Sequence, residues 1–547
     1  MIKSDKYTSV PYLLILFIFA LLISWPFFKS GTLLTDDGHW AVIRLAEMVR
    51  EFKDLQIPPR WSGYLNHGYG YPLFNFVYPA PYYYGSLLVM LGFSYIGAIK
   101  FLFILSIFAS VLFMFVFVKK IMNRKSAFLA SLFYLASPYR LTDLYIRGSL
   151  GESLSFILFP LIFYLTWVLY EKFSRLNALL LSLVLASLVL THNVMALLFF
   201  PVWMVLAVFL VNLAPPNKSR KLAAGYLKVF LISMGLSLFF FLPVLAEKKY
   251  IFLSQFPLSM RQNYFLSVTD LVNSVRSVPG KGDFSFGIPW IVLILFSVII
   301  LFANFRISKI LKKFFILVLV NLLLFLFLTS KLSFFFWNLP PLNSIDFPWR
   351  LLGPAVFFAS IFICVISRNN KLYLFSLLLA GLYLYQSFRS IDPKFIPPLD
   401  DYFYLTNDAT TTSKDELMPL WVKDKPRNRN PQKLSLFSSQ THIDNLIYNS
   451  RMIEFNLISS VSGSLQINSI YYPGWQFKQN ERLIQVNYDN PKGLMTLNFP
   501  PGEYKITGRF NETPLRLISD LISFATLIYV VIAFMGFKIP GFKLSDD

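Results

Sequence analysis

Two adjacent carboxylates open the first long polar stretch of the chain. Asp36 and Asp37 come soon after an apolar segment, and Gly38, His39 and Trp40 follow them. Carboxylates at the start of a helix lie near the positive end of its dipole, which favours their ionised form. An ionised pair can bind a divalent cation or act as a general base. We therefore predict that these two residues carry the chemistry, as the base or as metal ligands.

An amphipathic helix follows the carboxylates. Apolar residues recur at helical spacing from Val42 onward, and the opposite face is charged. That face comprises Arg44, Glu47, Arg50, Glu51 and Asp54. The pattern predicts a helix that lies along the bilayer surface, ends before Pro58 and is followed by irregular backbone over residues 61–84. The alternative role of the two carboxylates is to cap this helix, because Asp is a favoured N-cap residue.

The composition excludes an ordinary soluble domain. Of the 547 residues, 56% are hydrophobic and only 14% are charged, which is typical of a multi-span membrane protein. The formal net charge of +21 comes mainly from short Lys and Arg clusters between apolar runs. Such clusters set membrane topology, so we expect no nucleic-acid partner. Cys364 is the only cysteine, which excludes an intramolecular disulfide and a cysteine-rich metal site.

Apolar runs predict about twelve transmembrane helices, since each is close to the length that crosses a bilayer. They lie near residues 8–28, 96–118, 126–138, 152–170, 176–191, 194–213, 222–246, 288–304, 314–329, 351–367, 372–388 and 515–536. Every second connection is short and basic, which places it on the cytoplasmic side together with the N-terminus. The outer loops are then 29–95, 139–151, 247–287 and 330–350.

The C-terminal part of the chain differs from this pattern. Residues 390–513 are polar and from Leu434 onward resemble short strands divided by Gly, Pro and Asn turns, which predicts a small extracytoplasmic β-sandwich. The predicted organisation is a membrane domain over 1–389, this β-rich domain, and a last helix with a cytoplasmic tail over 514–547.

Further ionisable and aromatic residues fall in the outer connections. They are Arg60, Trp61, His67, Arg140, Asp143, Arg147, Glu152, His192 and Arg350. Charged groups at a membrane edge are costly unless they are paired or used. We expect an outward-facing pocket in which arginines bind phosphate oxygens and aromatic faces stack on sugar rings. The alternative is that the arginines only anchor lipid head groups.

Several motifs in order carry a family resemblance. They are DDGH (36–39), PPRW (58–61), GYGYPLF (68–74), SPYR (137–140), RGSLGE (147–152), THN (191–193), FPWR (347–350) and YYPGW (471–475). Together they resemble the bacterial multi-pass membrane proteins labelled 6-pyruvoyl-tetrahydropterin synthase-related, which are similar to the YfhO-like group. The YYPGW motif is a sugar platform or part of the strand core, and the residue pattern favours the core.

The layout is also similar to that of the C-type glycosyltransferase superfamily. That resemblance implies an enzyme of the outer face of the bacterial cytoplasmic membrane, which moves a sugar from a polyprenyl-phosphate donor to a glycan, lipid or protein acceptor. It implies that Asp37 or Asp36 is the base or binds Mg²⁺ or Mn²⁺, and that Asp143 or Glu152 is a second catalytic acid. Arg147 and Arg350 would meet the phosphate.

Two other functions stay open on the sequence alone. A transporter or flippase of a lipid-linked saccharide would carry charges or helix breaks at the membrane midplane, whereas here the ionisable groups gather at one face. A non-catalytic assembly factor of the cell envelope would keep the fold without the reaction.

Overall fold

The computed structural model describes residues 9–255, 262–272, 284, 286–303, 307–390, 393–436 and 440–535. The basic start MIKSDK, the predicted cytoplasmic tail and parts of the predicted loop 247–287 lie outside the described residues.

Helices form most of the described chain. Numbered in chain order, they are α1 (Val10–Ser24), α2 (Gly38–Lys53), α3 (Ala80–Met90), α4 (Tyr95–Ile121), α5 (Arg124–Ala136), α6 (Pro138–Thr142), α7 (Leu150–Glu171), α8 (Arg175–Thr191), α9 (Asn193–Leu213), α10 (Pro216–Glu247), α11 (Val268–Val272), α12 (Ile288–Phe302), α13 (Lys309–Thr329), α14 (Leu352–Ile363), α15 (Asn370–Ser390), α16 (Asp401–Leu405) and α17 (Pro514–Phe534).

The helices confirm a polytopic membrane protein. Within the described ranges, eight helical segments are long and apolar enough to cross a membrane, and three shorter apolar helices accompany them. Every predicted span coincides with a helix, while the number of crossings stays a prediction. Helix α5, whose thirteen residues extend about 20 Å, is shorter than a bilayer core. Its residues from Ser126 to Ala136 are all buried, so neighbouring helices rather than lipid surround it.

The C-terminal region contains two antiparallel sheets. Its strands are β3 (Leu434–Leu436), β4 (Thr441–Tyr448), β5 (Met452–Ser459), β6 (Gly463–Ile470), β7 (Trp475–Gln479), β8 (Arg482–Ile484), β9 (Leu494–Phe499) and β10 (Gly502–Phe510). A five-stranded sheet has the order β4-β5-β10-β7-β8, and a three-stranded sheet has the order β3-β6-β9. A separate pair, β1 (Thr32–Leu33) and β2 (Phe395–Ile396), joins residues 29–95 to the chain after α15. Residues 29–95, the first predicted outer loop, are called the first outer segment below.

The first outer segment contains less exposed surface than the sequence predicts. The sequence predicts that helix α2 is amphipathic and lies along the bilayer surface, yet Glu47 and Glu51 on its charged face are 4% and 0% exposed. Glu51 Oε1 accepts a 2.5 Å hydrogen bond from the Ser62 hydroxyl, so the chain after α2 folds back over this face. The backbone that follows is irregular as predicted, until α3 begins at Ala80.

The predicted outer loop 139–151 is not a loop. Residues 138–142 form α6, and Asp143–Arg147 continue as a π-helical turn. In that turn all residues except Ile146 are buried. The segment was predicted as a loop because it lies between two apolar runs, but Arg147 pairs with Asp143, and paired charges can be buried.

Two buried arginines link the apolar helices to the first outer segment and to the β-rich region. Arg516 at the start of α17 binds Glu247 at the end of α10 through two hydrogen bonds, of 2.9 and 2.6 Å. Asn75 and Tyr472 donate to the same carboxylate at 2.8 and 3.1 Å. The first outer segment, α10, α17 and the β-rich region therefore meet at one carboxylate. The second arginine, Arg60, is described with the predicted site residues below.

Candidate active site

A cavity of about 840 Å³ lies where the first outer segment meets α9, α10 and the chain before α14. Its charged and polar lining residues include Asp36, Asp37, Arg44, Arg147, His192, Lys248, Asp346, Arg350 and Glu416. The structure thus brings together five of the predicted site residues: both carboxylates of the DDGH motif, one arginine of the RGSLGE motif, the histidine of THN and the arginine of FPWR.

The carboxylates at the cavity are held by their backbone. The N–H groups of Asp36 and Asp37 donate to the carbonyl oxygens of Ile146 and Arg147, at 2.9 and 2.7 Å. Asp37 occupies the N-cap position of α2, but its side chain makes no capping hydrogen bond. Thr35 does the capping instead, because its hydroxyl accepts from the N–H of Gly38 at 3.0 Å. Capping therefore leaves both carboxylates available to the cavity.

Close packing brings the two motifs together. Gly148, in the RGSLGE motif, has a φ of +64°, and a Cβ there would lie 2.2 Å from the Thr35 hydroxyl oxygen and 2.9 Å from the Gly38 nitrogen. Only glycine adopts this conformation without strain and leaves that space.

The Asp36 side chain is exposed toward the cavity. Partial desolvation and then the neighbouring Asp37 raise the pKa of Asp36, although Arg147 lowers it.

Arg147 is the most constrained cation of the site. Its Nη1 lies 2.6 Å from Asp143 Oδ1 and 2.6 Å from Glu152 Oε2, and its guanidinium carbon lies 4.4 Å from the centre of the Trp349 ring. Both carboxylates are fully buried behind it. Asp143 and Glu152, predicted as catalytic acids, thus contact the cavity through Arg147 in this structure, and their remaining oxygens accept from Ser153 and Tyr139.

Arg350 is held less tightly. Its guanidinium carbon lies 5.0 Å from the Phe347 ring centre and 5.8 Å from that of Trp349. Its Nε is buried and has no hydrogen-bond partner among the described residues. The residue lines the cavity and is partly exposed, so its guanidinium group is placed to receive an anionic ligand.

His192 caps a helix and faces the same cavity. Its Nδ1 accepts from the N–H of Met195 at 3.2 Å, so in the neutral ring Nε2 carries the proton. The ring stacks on Tyr78 with a centroid separation of 5.0 Å. Burial, followed by Arg350 and Arg147, lowers the pKa of His192 well below its usual value, and the neutral ring offers a hydrogen-bond donor rather than a charge.

The other predicted residues lie away from the cavity. Arg140 is buried and donates to the carbonyl oxygens of Ser106 and Tyr134, at 3.1 and 3.3 Å. Arg60 binds Glu512 and Asp520 at 3.0 and 2.7 Å, which ties the first outer segment to α17.

Three more predicted residues contact the C-terminal region. Trp61 is fully buried and stacks on Tyr472 and Phe510. His39 packs against the rings of Phe403 and Tyr404 at 5.5 and 5.6 Å, and burial lowers its pKa. His67 Nδ1 lies 3.8 Å from Asp408 Oδ2. In the structure these residues join segments rather than line the cavity.

Two cations of the cavity were not among the predicted site residues. Arg44 on α2 reaches across to Thr411, with a 3.1 Å hydrogen bond from Nε to the hydroxyl and a second bond to the carbonyl oxygen. Lys248 follows the last residue of α10. The sequence assigned Arg44 only to the charged face of its helix. Its place at the cavity could not be predicted, because its partner Thr411 lies 367 residues further along the chain.

An apolar groove continues from the charged end of the cavity. Its wall consists of residues of α9 and α10, among them Val194, Leu197, Phe200, Met204, Phe230, Met234, Phe241 and Leu245. Helix α9 begins at Asn193, and Met204 lies about 16 Å further along its axis. Met204 and Leu245 are 43% and 59% exposed, so the groove opens sideways toward the lipid.

The carboxylates of Asp36 and Asp37 are oxygen ligands of the kind that bind a hard cation. Mg²⁺ is commonly bound by one or two carboxylates together with substrate phosphate oxygens and water. In the part of the chain that the structure describes, no group of three or more His, Cys, Asp or Glu side chains could hold a metal ion without such help. A cation here would therefore need oxygens from the substrate.

Fold and site together define a multi-span membrane protein with a charged cavity at one end of its helix bundle and an apolar groove leading into it. The sequence profile of the family described as "6-pyruvoyl-tetrahydropterin synthase related domain; membrane protein" matches residues 74–390. The chain belongs to this family, which confirms the family resemblance. An uncharacterized protein of Lactococcus lactis subsp. cremoris is 26% identical over 251 residues, which cover 45% of this chain and 41% of that relative.

Solved structures of two membrane transferases are similar in part. The arabinofuranosyltransferase AftD from Mycobacteria matches 69% of this chain and 27% of its own, with 16% identity and a TM-score of 0.45. The Archaeoglobus fulgidus oligosaccharyltransferase AglB, in complex with an inhibitory peptide and a dolichol-phosphate, matches 75% of this chain and 57% of its own, with 12% identity and a TM-score of 0.42. The chain spans less than two thirds of either protein.

Proposed function

We propose that the protein is a glycosyltransferase that moves a sugar from a polyprenyl-phosphate donor to an acceptor at the outer face of a bacterial cytoplasmic membrane. The observation that carries the proposal is one continuous cavity that joins two carboxylates, Asp36 and Asp37, to arginines and to an apolar groove open to lipid. A lipid-linked sugar phosphate has the matching sequence of parts: an apolar tail, an anionic phosphate and a sugar.

The phosphate would lie between the two arginines. Arg350 lines the cavity and is partly exposed, and Arg147 is fixed by its two carboxylates and by Trp349. Guanidinium groups bind phosphate oxygens through paired N–H donors. The isoprenoid tail would follow α9 and α10 into the bilayer, where its apolar surface is removed from water.

The reaction would be a single displacement. The Asp36 carboxylate removes the proton from an acceptor hydroxyl while that oxygen attacks the anomeric carbon, and the bond from this carbon to the phosphate oxygen breaks with inversion. The electron pair leaves on the phosphate, whose growing negative charge Arg147 and Arg350 stabilise. We assign the base to Asp36 because it is the more exposed carboxylate and because a raised pKa makes a carboxylate a stronger base near neutral pH.

Asp37 has a different position in this scheme. It occupies the N-cap position of α2, next to the backbone N–H groups at the positive end of the helix dipole. Together with Asp36 it would hold Mg²⁺ or Mn²⁺ against the phosphate, and such an ion would neutralise charge on the leaving group. The arginines already supply positive charge at this place, so the scheme works with or without the ion.

The test is transfer of radiolabelled sugar in proteoliposomes from a panel of polyprenyl-phosphate donors. Wild type is compared with Asp36→Asn and with Glu481→Gln, a control at an exposed carboxylate, in buffers with and without EDTA. We expect Asp36→Asn to lower transfer about 10²- to 10⁴-fold, the usual contribution of a general base, and the control to match wild type. No transfer from any donor, together with movement of a lipid-linked sugar between leaflets, would favour a flippase; neither activity would favour an assembly factor.

A further inference from the structure

A cluster of four aromatic side chains lies beside the cavity on the C-terminal side. Tyr250, Trp421, Tyr471 and Tyr488, which we call the Trp421 cluster, are each partly exposed. Tyr471 and Tyr488 are stacked with ring centres 4.1 Å apart and an interplanar angle of 8°. Trp421 lies 5.5 Å from Tyr488 and 6.3 Å from Tyr250. Separate segments of the chain thus present their rings at one place.

The cluster is distinct from the buried core next to it. Tyr472 is 0% exposed and its hydroxyl binds Glu247, and Trp475 is 4% exposed, so these residues of the YYPGW motif belong to the core as the sequence predicted. Tyr471 points to the partly exposed side instead. The Trp421 indole N–H donates to the carbonyl oxygen of Tyr471 at 3.0 Å, which fixes the ring within the cluster.

The rim of the cluster is polar. Exposed polar residues lie close in sequence to the four aromatic residues: Lys249, Lys423, Asp424, Asn487 and Asp489. The ammonium group of Lys249 lies 5.1 Å from the Tyr250 ring centre. Apolar ring faces surrounded by groups that donate and accept hydrogen bonds match the surface of a sugar, whose C–H faces are apolar and whose hydroxyl groups point outward. A lipid or an apolar peptide would leave the charged rim without partners.

The cluster is continuous with the cavity. Lys248 lines the cavity, and Tyr250 is two residues further on, which is about 7 Å at most along the chain. The N–H of Leu420 donates to the carbonyl oxygen of Tyr250 at 2.9 Å. The same paired segments include Leu253 and Glu416, which also line the cavity. A chain of sugars with its end at Asp36 could therefore extend along these segments to the cluster.

We propose that the Trp421 cluster binds a saccharide and is the acceptor subsite of the transferase. Its assignment to the acceptor rests on the proposed function, whereas its binding of a saccharide does not. The acceptor would accordingly be a glycan of several units rather than a lone lipid or a peptide.

The test is direct binding of short soluble oligosaccharides to the full-length protein in nanodiscs, measured by saturation-transfer NMR and by titration. The panel contains glucan, galactan, mannan, arabinan, rhamnan and N-acetylhexosamine oligomers. We expect wild type to bind at least one of them and Tyr488→Ala to bind it about tenfold more weakly, the loss of one stacked ring. Tyr488→Phe keeps the ring and should bind like wild type.

Two controls separate this proposal from the proposed function. Arg350→Ala changes the phosphate end of the cavity and should leave oligosaccharide binding unchanged. Thermal unfolding of each variant verifies that the protein is folded. Binding that depends on the Tyr488 ring supports the subsite even when no donor is transferred. Absence of binding to every oligosaccharide, or equal binding by wild type and Tyr488→Ala, overturns the subsite even when transfer is observed.

Discussion

The backbone N–H of Asp37 donates a 2.7 Å hydrogen bond to the carbonyl oxygen of Arg147. These residues are far apart in the chain, and each belongs to a separate sequence motif. The bond fixes the distance between the carboxylate pair and the arginine without using either side chain. The backbones of the proposed base and of the proposed phosphate ligand are therefore joined directly, and charges positioned in advance favour catalysis because they need no rearrangement during the reaction.

The buried charges behind Arg147 predict that its removal destabilises the protein. Arg147→Met leaves Asp143 and Glu152 buried without their common partner, a change that costs about 3 to 5 kcal/mol in other buried ion pairs. The triple variant Asp143→Asn, Arg147→Met, Glu152→Gln removes all three charges, so we expect its thermal unfolding temperature in detergent to return close to that of wild type. Its transfer activity should stay lost. Transfer at the wild-type rate by this stable variant would contradict a role for Arg147 at the phosphate.

The positions of the long apolar helices were predictable because bilayer thickness sets the length of the apolar runs. The sequence also led us to predict Asp36, Arg147, His192 and Arg350 as site residues, since ionisable groups at a membrane edge are uncommon unless they are paired or used. All four line the cavity.

Other parts of the site could not be read from local sequence. The segment around Asp143 was predicted as an outer loop because it lies between two apolar runs, but whether such a segment folds inward depends on the tertiary contacts that pair its charges. Arg44 reaches the cavity while bound to Thr411, and Arg60 instead pairs with Glu512 and Asp520. Nothing near either arginine in sequence distinguishes these two outcomes.

The unpartnered Nε of Arg350 predicts a specific loss of donor binding. Arg350→Ala should lower kcat/KM for the donor about 10- to 100-fold, through a lower kcat as well as a higher KM, because it removes both a phosphate contact of the ground state and stabilisation of the charge that grows on the leaving phosphate. Arg350→Lys should recover only part of the loss, since an ammonium group keeps the charge but not the paired donors. Arg482→Ala, at an exposed arginine of β8, is the control. Equal loss in all three variants would indicate a general effect on the protein.

The groove between α9 and α10 predicts a dependence on the length of the lipid. Met204→Trp places a larger side chain in the groove, and we expect kcat/KM for a long-chain donor to fall about tenfold, the scale of overpacking costs of about 1–3 kcal/mol. A short-chain analogue that ends before Met204 should be transferred as by wild type. Val205→Trp is a matched control, because Val205 is 47% exposed and does not line the groove. Equal effects on both donors would contradict the placement of the tail.

The raised pKa of Asp36 predicts the acid side of the pH profile. A base must be ionised, so kcat/KM should fall as the pH drops through the pKa of Asp36, and the midpoint should lie above that of an ordinary aspartate. Asp37 contributes to this rise through its charge. Asp37→Asn should therefore move the midpoint to lower pH, whatever its effect on the maximal rate. A midpoint that stays in place in Asp37→Asn would assign the profile to another group.

Glu47 predicts how stability changes with pH. Burial, offset in part by Arg50, raises the pKa of Glu47 to about 7, and its Oε1 lies 4.0 Å from the nearest Arg50 nitrogen without a hydrogen bond. Because the folded protein binds this proton more tightly than the unfolded chain does, the contribution is complete below the unfolded pKa of 4.5 and is lost as the pH rises through about 7. The full loss corresponds to roughly 3 kcal/mol as an upper bound, at about 1.36 kcal/mol per pKa unit.

Replacement of this carboxyl by an amide tests the argument. Residue 47 cannot ionise in Glu47→Gln, so the unfolding temperature of this variant should exceed that of wild type at about pH 8 and approach it at about pH 5, on either side of the raised pKa. The control Glu481→Gln, at an exposed position, should show no such difference. The neighbouring Glu51 is fully buried and its pKa is raised further, by burial and then by Glu47. An ionised Glu47 therefore also repels any charge on Glu51, and the gain at the higher pH should shrink in a Glu51→Gln background. Lower stability of Glu47→Gln at both pH values would instead mean that an ionised Glu47 is stabilised by Arg50.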